Sequence, residues 1–282
     1  MRSMNKRGAF DTIRARVAQG ALAFPTSAQV ALKVRQTLDD PDCHIDVVAR
    51  LVQAEPLLSA RVVAIANSVV YNRSGQPISD VRMAVNRLGF RTVRALAMAL
   101  VTRQMAGQSA NRVHQDLAYQ LWEHTAHVAS LAHVIARQVT HQDPETALFA
   151  GIVHEIGGFY LISCADEFPG LLDGDFADWI EYGEPALGRA VLGVLGVPES
   201  VVAAMESYWE GYLAMPSVTL ADTLLLAEEL SPVPSPLHNL PSANAVPGMA
   251  AQIEMVIGKE TLSCVLQESA EEVSSLTEAL KF

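Results

Sequence analysis

The chain has 282 residues, half of them apolar and 18% charged, with a formal net charge of −11. That length holds one large or two modest domains with buried cores, and the acidic balance argues against general nucleic-acid binding. Cys43, Cys164 and Cys264 are odd in number and far apart, which excludes a disulfide framework or a zinc knuckle by spacing.

No uninterrupted apolar run approaches the roughly 18 residues that cross a bilayer, and the N-terminus lacks a continuous apolar region, so a soluble cytoplasmic protein without a membrane span is expected. The charge is unevenly placed. Six arginines and no acid fall between Val81 and Gln115, whereas sixteen acids and one base, Arg189, fall between Gln142 and Ser235.

Phe10, Ile13 and Val17 predict a short amphipathic helix ending near Gly20. A second begins after Phe24-Pro25, capped by Thr26 or Ser27, with Val30, Val34 and Leu38 on one face. Asp39-Asp40-Pro41 predicts a turn. A third helix covers about Ile45 to Ala54, and Pro56 opens a fourth bearing Leu58, Val62, Ile65 and Val69. Ser79 is expected to cap the next, with Ile78 and Met83 as a hydrophobic staple. Gly89 ends that helix, and another runs from about Arg91 to Met105.

In the second half a helix is predicted from about Val113 to Val139. Its inward stripe is Leu117, Leu121, His124, Val128, Leu131 and Ile135, which puts His124 in the core and turns His127 and His133 elsewhere. Asp143-Pro144 starts an apolar helix carrying the adjacent pair His154-Glu155, with Gly157-Gly158 loosening its end. A short helix surrounds Trp179, and others follow at about Pro185–Leu195, Pro198–Tyr208 and Ser217–Leu230. The proline-rich SPVPSPLHNLPSANAVPG reads as a linker or a chain wrapped on the surface. Met249–Ile257 and Leu262–Leu280 are amphipathic, and the last helix is suited to packing back on the domain or forming a homodimer.

The segments FPTSAQVALKV, LVQAEPLLSARVVAIANSVVYNR, PISDVRMAVNRLGFRTVRALAMA, LWEHTAHVASLAHVIA and LFAGIVHEIGGFYLI together resemble the HDOD family, in order and spacing, over most of residues 20–230. This is a helical output domain of bacterial signalling proteins related to the HD metal phosphohydrolases. The resemblance implies an all-α fold in which an N-terminal helical subdomain (24–110) packs on an HD-like helical bundle (111–232). Residues 1–23 would be an extension, 233–248 a proline-rich linker and 249–282 a C-terminal helical extension. It also implies a regulatory role, often coupled to receiver, diguanylate cyclase or EAL phosphodiesterase modules. None of these is legible in the chain, so the expected partner is a separate sensor, receiver or cyclic-dinucleotide enzyme.

In an HD phosphohydrolase a first histidine, a His-Asp pair and a distant aspartate converge on a metal that activates water. The resemblance maps these roles to His124, His154, Glu155 and Asp222. The departures count against activity. Glu155 carries one methylene more than aspartate, which moves its oxygens. Gly158 stands where HD-GYP phosphodiesterases have the lysine of HDxGK. Pro185 in EPALG stands where EHxxxG has histidine, and MESYW from Met205 has no histidine pair. One arginine among sixteen acids offers little to hold a phosphate.

A non-catalytic regulatory module is therefore expected, with no cofactor, acting through a protein or small ligand, its remnant polar residues hydrogen-bonded in the core. The alternative is a degenerate metal-dependent phosphohydrolase holding iron, manganese or zinc among His124, His154, Glu155 and Asp222. The candidate groove for a partner lies between the subdomains near Asn67, Tyr71, Arg91 and Arg94. A nucleic-acid regulator using the Arg82–Arg112 span is a further reading, since NRLGFRTVRALA superficially resembles helix-turn-helix. Pairing of those arginines with the acidic half is the simpler explanation.

Overall fold

Helix starts in this chain follow local capping chemistry. The computed structural model describes residues 5–19, 28–106, 109–214, 216–238 and 259–281, and every regular element among them is helical. Asn5 accepts from the Gly8 amide to open α1 (Lys6–Ala18), and Glu55 accepts from the Leu58 amide at 2.5 Å to open α4 (Pro56–Ala66), with Pro56 in the first turn. Asn111 and Asp143 serve α6 (Arg112–Ile135) and α7 (Pro144–Val153) in the same way. The expected caps Thr26 and Ser27 and the helix at Met249–Ile257 lie outside the described residues. At α5 (Val81–Ala106) the cap is Asp80, which accepts from the Met83 amide at 2.8 Å, and not Ser79. Met83 is more than half exposed, so no staple forms.

α5 is broken at Gly89, where φ is 75° and ψ is 166°, a backbone that a side chain would strain. α2 (Ala28–Thr37), α3 (Ile45–Gln53) and α4 pack around α5, which also packs on α7 and α8 (Ile156–Cys164), so both halves share this helix. α6 lies against α7, α11 (Leu220–Glu229) and the C-terminal helix α12 (Lys259–Leu280), while α9 (Glu184–Val194) and α10 (Glu199–Glu210) complete the second half.

The part of α5 beyond Gly89 is a core helix. Val93, Ala95 to Thr102 and Met105 are all buried, so it has no free face to lay in a DNA groove. Three arginines of this span are engaged locally: Arg82 with Asp46, Arg87 with the Ala66 and Gln76 carbonyls, and Arg94 with the Leu38 carbonyl and Asp39. Arg91 reaches the acidic half, at Asp143.

Most of the charge matching to the acidic half comes instead from α1. This helix packs on α9, with Phe10 edge-on to Trp179 at 5.8 Å. Arg7 pairs with Asp178 and Glu181, Arg16 with Glu167, and Lys6 donates to the Asp173 and Asp175 carbonyls. α1 is thus a docked part of the bundle, with Phe10, Ile13 and Val17 buried against the second half.

The stretch Pro144–Cys164 has a mean hydropathy of 1.5, high enough for a membrane span by length and composition, but 94% of it is buried inside the bundle. It is a core element, broken at His154-Glu155 and not at the glycines that follow. α12 packs on α4 and α6 of its own chain. Leu276 and Leu280 are buried, the Trp122 indole donates to the Leu280 carbonyl at 3.1 Å, and Arg61 donates to the Ala279 carbonyl. Leu276 and Leu280 are therefore covered within the chain, whereas Leu266 and Val273 of the same helix are only partly buried.

The two halves are joined by a polar knot. Tyr71 donates to Glu145 at 2.7 Å, Thr92 donates to the same carboxylate at 2.6 Å, and buried His133 lies 3.6 Å from it. Burial opposes the charge of Glu145, but these partners outweigh it and hold its carboxyl below the ordinary carboxylate range, while the Tyr71 hydroxyl is pushed up by its own burial and by Glu145. A lowered carboxyl contributes stability that is present above its ordinary value of 4.5 and is lost as the pH falls through the lower folded value. Glu145→Gln should cost about 1–3 kcal/mol at pH 7 in denaturant unfolding and should flatten the part of the acid limb that lies below pH 4.5.

Candidate metal centre

His124 sits on α6 and His154 at the end of α7, and each ring is fixed from behind by a backbone carbonyl. His124 Nδ1 donates to Val233 O at 2.7 Å and His154 Nδ1 to Gly151 O at 2.7 Å. Carbonyls only accept, so both protons lie on Nδ1 and both Nε2 atoms turn inward, where they face each other at 3.2 Å. Two lone pairs at that distance repel. A cation between them removes the repulsion, either a proton or a metal ion.

Glu228 provides the counter-charge. Its Oε2 lies 3.2 Å from His124 Nε2 and 3.6 Å from His154 Nε2, and it accepts from the Tyr208 hydroxyl at 3.3 Å. Burial works against both charges, yet the pairing prevails: the Glu228 carboxyl is held well below the ordinary range and the His124 imidazolium is favoured. Tyr208, buried beside three carboxylates, is pushed well up.

Glu155 occupies the break between α7 and α8, where its side chain makes no cap hydrogen bond. It is fully buried, and with His124 and His154 it brings one ligand atom each within 4.8 Å. The extra methylene carries its carboxylate to Ser235, whose hydroxyl donates at 2.5 Å.

Asp222 is not brought to this cluster. It is the third residue of α11 and closes a capping box with Thr219, accepting from the amides of Ala214, Val218 and Thr219 and from the Thr219 hydroxyl at 2.6 Å. Glu228, later on the same helix, stands in its place. Asn67 is likewise structural, its amide bonded both ways to the Ile78 backbone, and Tyr71 belongs to the Glu145 knot. Arg91 and Arg94 line a cleft with Glu145, Thr146, Phe149 and Ser200.

Sequence reasoning missed the covering strap. Residues 231–238, read as the start of a linker or of a chain wrapped on the surface, fold inward: Val233 supplies the carbonyl to His124, Ser235 meets Glu155, Leu237 is fully buried, and His238 pairs with Glu184 at 2.8 Å. A Cβ on Gly158 would lie 2.6 Å from Leu237 Cδ1, so the position that lacks a lysine is the seat of the strap. Arg189, the one base between Gln142 and Ser235, is bound to Glu206 and stacks on Trp209.

The donor set fits a divalent ion. His124, His154 and Glu155 would hold it through two ring nitrogens and a carboxylate oxygen, as zinc, manganese or iron accept; Glu228 Oε2 lies beside both nitrogens, and Glu155 Oε2 is a buried oxygen with no hydrogen-bond partner. Such an ion, when bound, polarises an oxygen ligand as a Lewis acid.

The HDOD domain profile matches residues 24–173, more than half of the chain. Among solved structures of like fold are a candidate metal-dependent phosphohydrolase from Shewanella amazonensis SB2B (TM-score 0.70, 21% identity, covering 98% of this chain and 100% of that one) and an HDOD domain protein from Geobacter sulfurreducens (0.60, 21%, 95% and 96%). A candidate signal transduction protein from Marinobacter aquaeolei VT8 is also similar (0.60, 18%, 98% and 66%). No curated protein matches the chain.

Asp222→Asn is expected to weaken the α11 cap and lower stability by about 0.5–2 kcal/mol while leaving the histidine pair intact. Glu228→Gln should perturb the ring resonances of His124 and His154 in NMR spectra, and Asp222→Asn should not.

Proposed function

The chain belongs to the HDOD family, and from that premise we propose that it is a regulatory signalling module that acts by binding a protein or small ligand, with its HD-derived cluster a closed structural centre. The observation that carries this reading is closure. His124, Glu155 and His154 are at most 2% exposed, and the strap seats Leu237 against Gly158, in front of Glu155. A phosphoester has no path to the inward Nε2 atoms while the strap is in place.

The interior bonds give the cluster a role without turnover. Each ring is held by a carbonyl, and Glu228 balances the imidazolium, so the arrangement ties α6, α7, α11 and the strap together. The cleft at Arg91 and Arg94 supports partner binding best, since it lies where α5, α7 and α10 meet and both arginines border it. Arg91 is 69% exposed on its side chain and bonded to Asp143, an interaction that solvent screening keeps weak and a partner carboxylate can replace.

The test is turnover of bis(p-nitrophenyl) phosphate and of a cyclic dinucleotide by the full chain with added Mn²⁺ or Fe²⁺. The expected rate equals that of His154→Ala in both assays. Hydrolysis by the wild type that His154→Ala abolishes, with the fold retained, would overturn the closed-centre reading and favour the phosphohydrolase.

A further inference from the structure

Beside the histidine pair a second set of titratable groups meets in the interior. Glu155, Glu184 at the start of α9, and His238 at the end of the strap bring one ligand atom each within 4.8 Å of one another. Glu155 and Glu184 are 0% and 4% exposed. Ser235 satisfies Glu155 Oε1, and His238 Nε2 satisfies Glu184 Oε2 at 2.8 Å. Glu155 Oε2 and Glu184 Oε1 are left buried with no hydrogen-bond partner.

Buried polar atoms are nearly always paired, and an orphan carboxylate oxygen in a dry interior is costly. Here there are two, in neighbouring carboxyl side chains, and the one imidazole at hand, His238, is bonded to only one of them. A divalent cation would satisfy both oxygens, in a mixed nitrogen and oxygen donor set of the kind zinc and manganese take.

We infer that Glu155, Glu184 and His238 form a divalent-cation site of their own, and that its ion latches the strap onto the bundle through His238. The inference goes beyond the regulatory reading and stands whether or not that reading holds. The ion would join three elements distant in sequence: the α7–α8 break, the start of α9 and the strap. Loss of the ion frees the residues that cover the histidine pair, which makes closure depend on cation supply.

The full chain, purified without a metal-affinity tag and stripped with chelator, is titrated with Zn²⁺ alone and Mn²⁺ alone, and retained metal is counted by mass spectrometry after desalting. His238→Ala, Glu184→Gln and His124→Ala are treated alike, with far-ultraviolet circular dichroism to check folding. The site predicts one equivalent held by the wild type and by His124→Ala that is lost, or weakened about 10–100-fold, in both His238→Ala and Glu184→Gln. Metal should also slow hydrogen exchange in the peptide 231–238 of the wild type and not of Glu184→Gln.

A wild type that holds no metal, variants that bind as the wild type does, or an equivalent lost equally in His124→Ala would each overturn the site. Should His238→Ala fail to fold, the near-isosteric Glu184→Gln decides.

Discussion

Two imidazoles that face each other nitrogen to nitrogen at 3.2 Å require positive charge between them and negative charge beside them. That requirement organises the second half of this protein. The carbonyls of Gly151 and Val233 fix the rings, and Glu228 balances them. Removing one member of such a buried set leaves an uncompensated charge, at a cost of about 3–5 kcal/mol, against a total stability of about 5–15 kcal/mol for a domain. The local geometry follows from this: the helix breaks at His154-Glu155, Gly151 lets α7 approach the Ala129 backbone of α6, and Gly158 leaves room for Leu237.

Charge also explains how the ends of the chain are placed. The acidic second half is met by Lys6, Arg7 and Arg16 of α1, although α2 to α5 intervene in sequence. Arg7 pairs are half exposed and individually weak; the buried Phe10, Ile13 and Val17 supply most of the docking energy, and the ion pairs set which surface α1 chooses. At the other end α12 closes over Trp122 and braces α4 against α6, so the C-terminal helix reinforces the contact between the two halves.

Much of this was legible in the residues. Apolar spacing located α1, α3, α4, α6 and α9 to α12 within a few positions, and Gly89 marked its break because only glycine takes φ of 75° at low cost. The pairing of His124 with His154 was legible through the inward stripe of α6. Asp222 was misplaced although Thr219 three residues earlier spells a capping box, a local bond that competes with any distant role. Glu228 was hidden because the stripe of α11 alone cannot tell which carboxylate faces the pair. His238 and Ser235 gave no signal at all: a proline-rich composition says that a segment is irregular, and the docking of its Leu237, Ser235 and His238 side chains decides where it lies.

The closed histidine pair can be examined most directly by NMR of the chain with ¹⁵N-labelled histidine, reading the tautomer and the solvent exchange of each ring proton. The account predicts Nδ1-protonated rings at His124 and His154, with both protons exchanging slowly because the strap and the carbonyls shield them. An Nδ1 that carries no proton in either ring, or ring protons that exchange as fast as those of exposed His44, would contradict it.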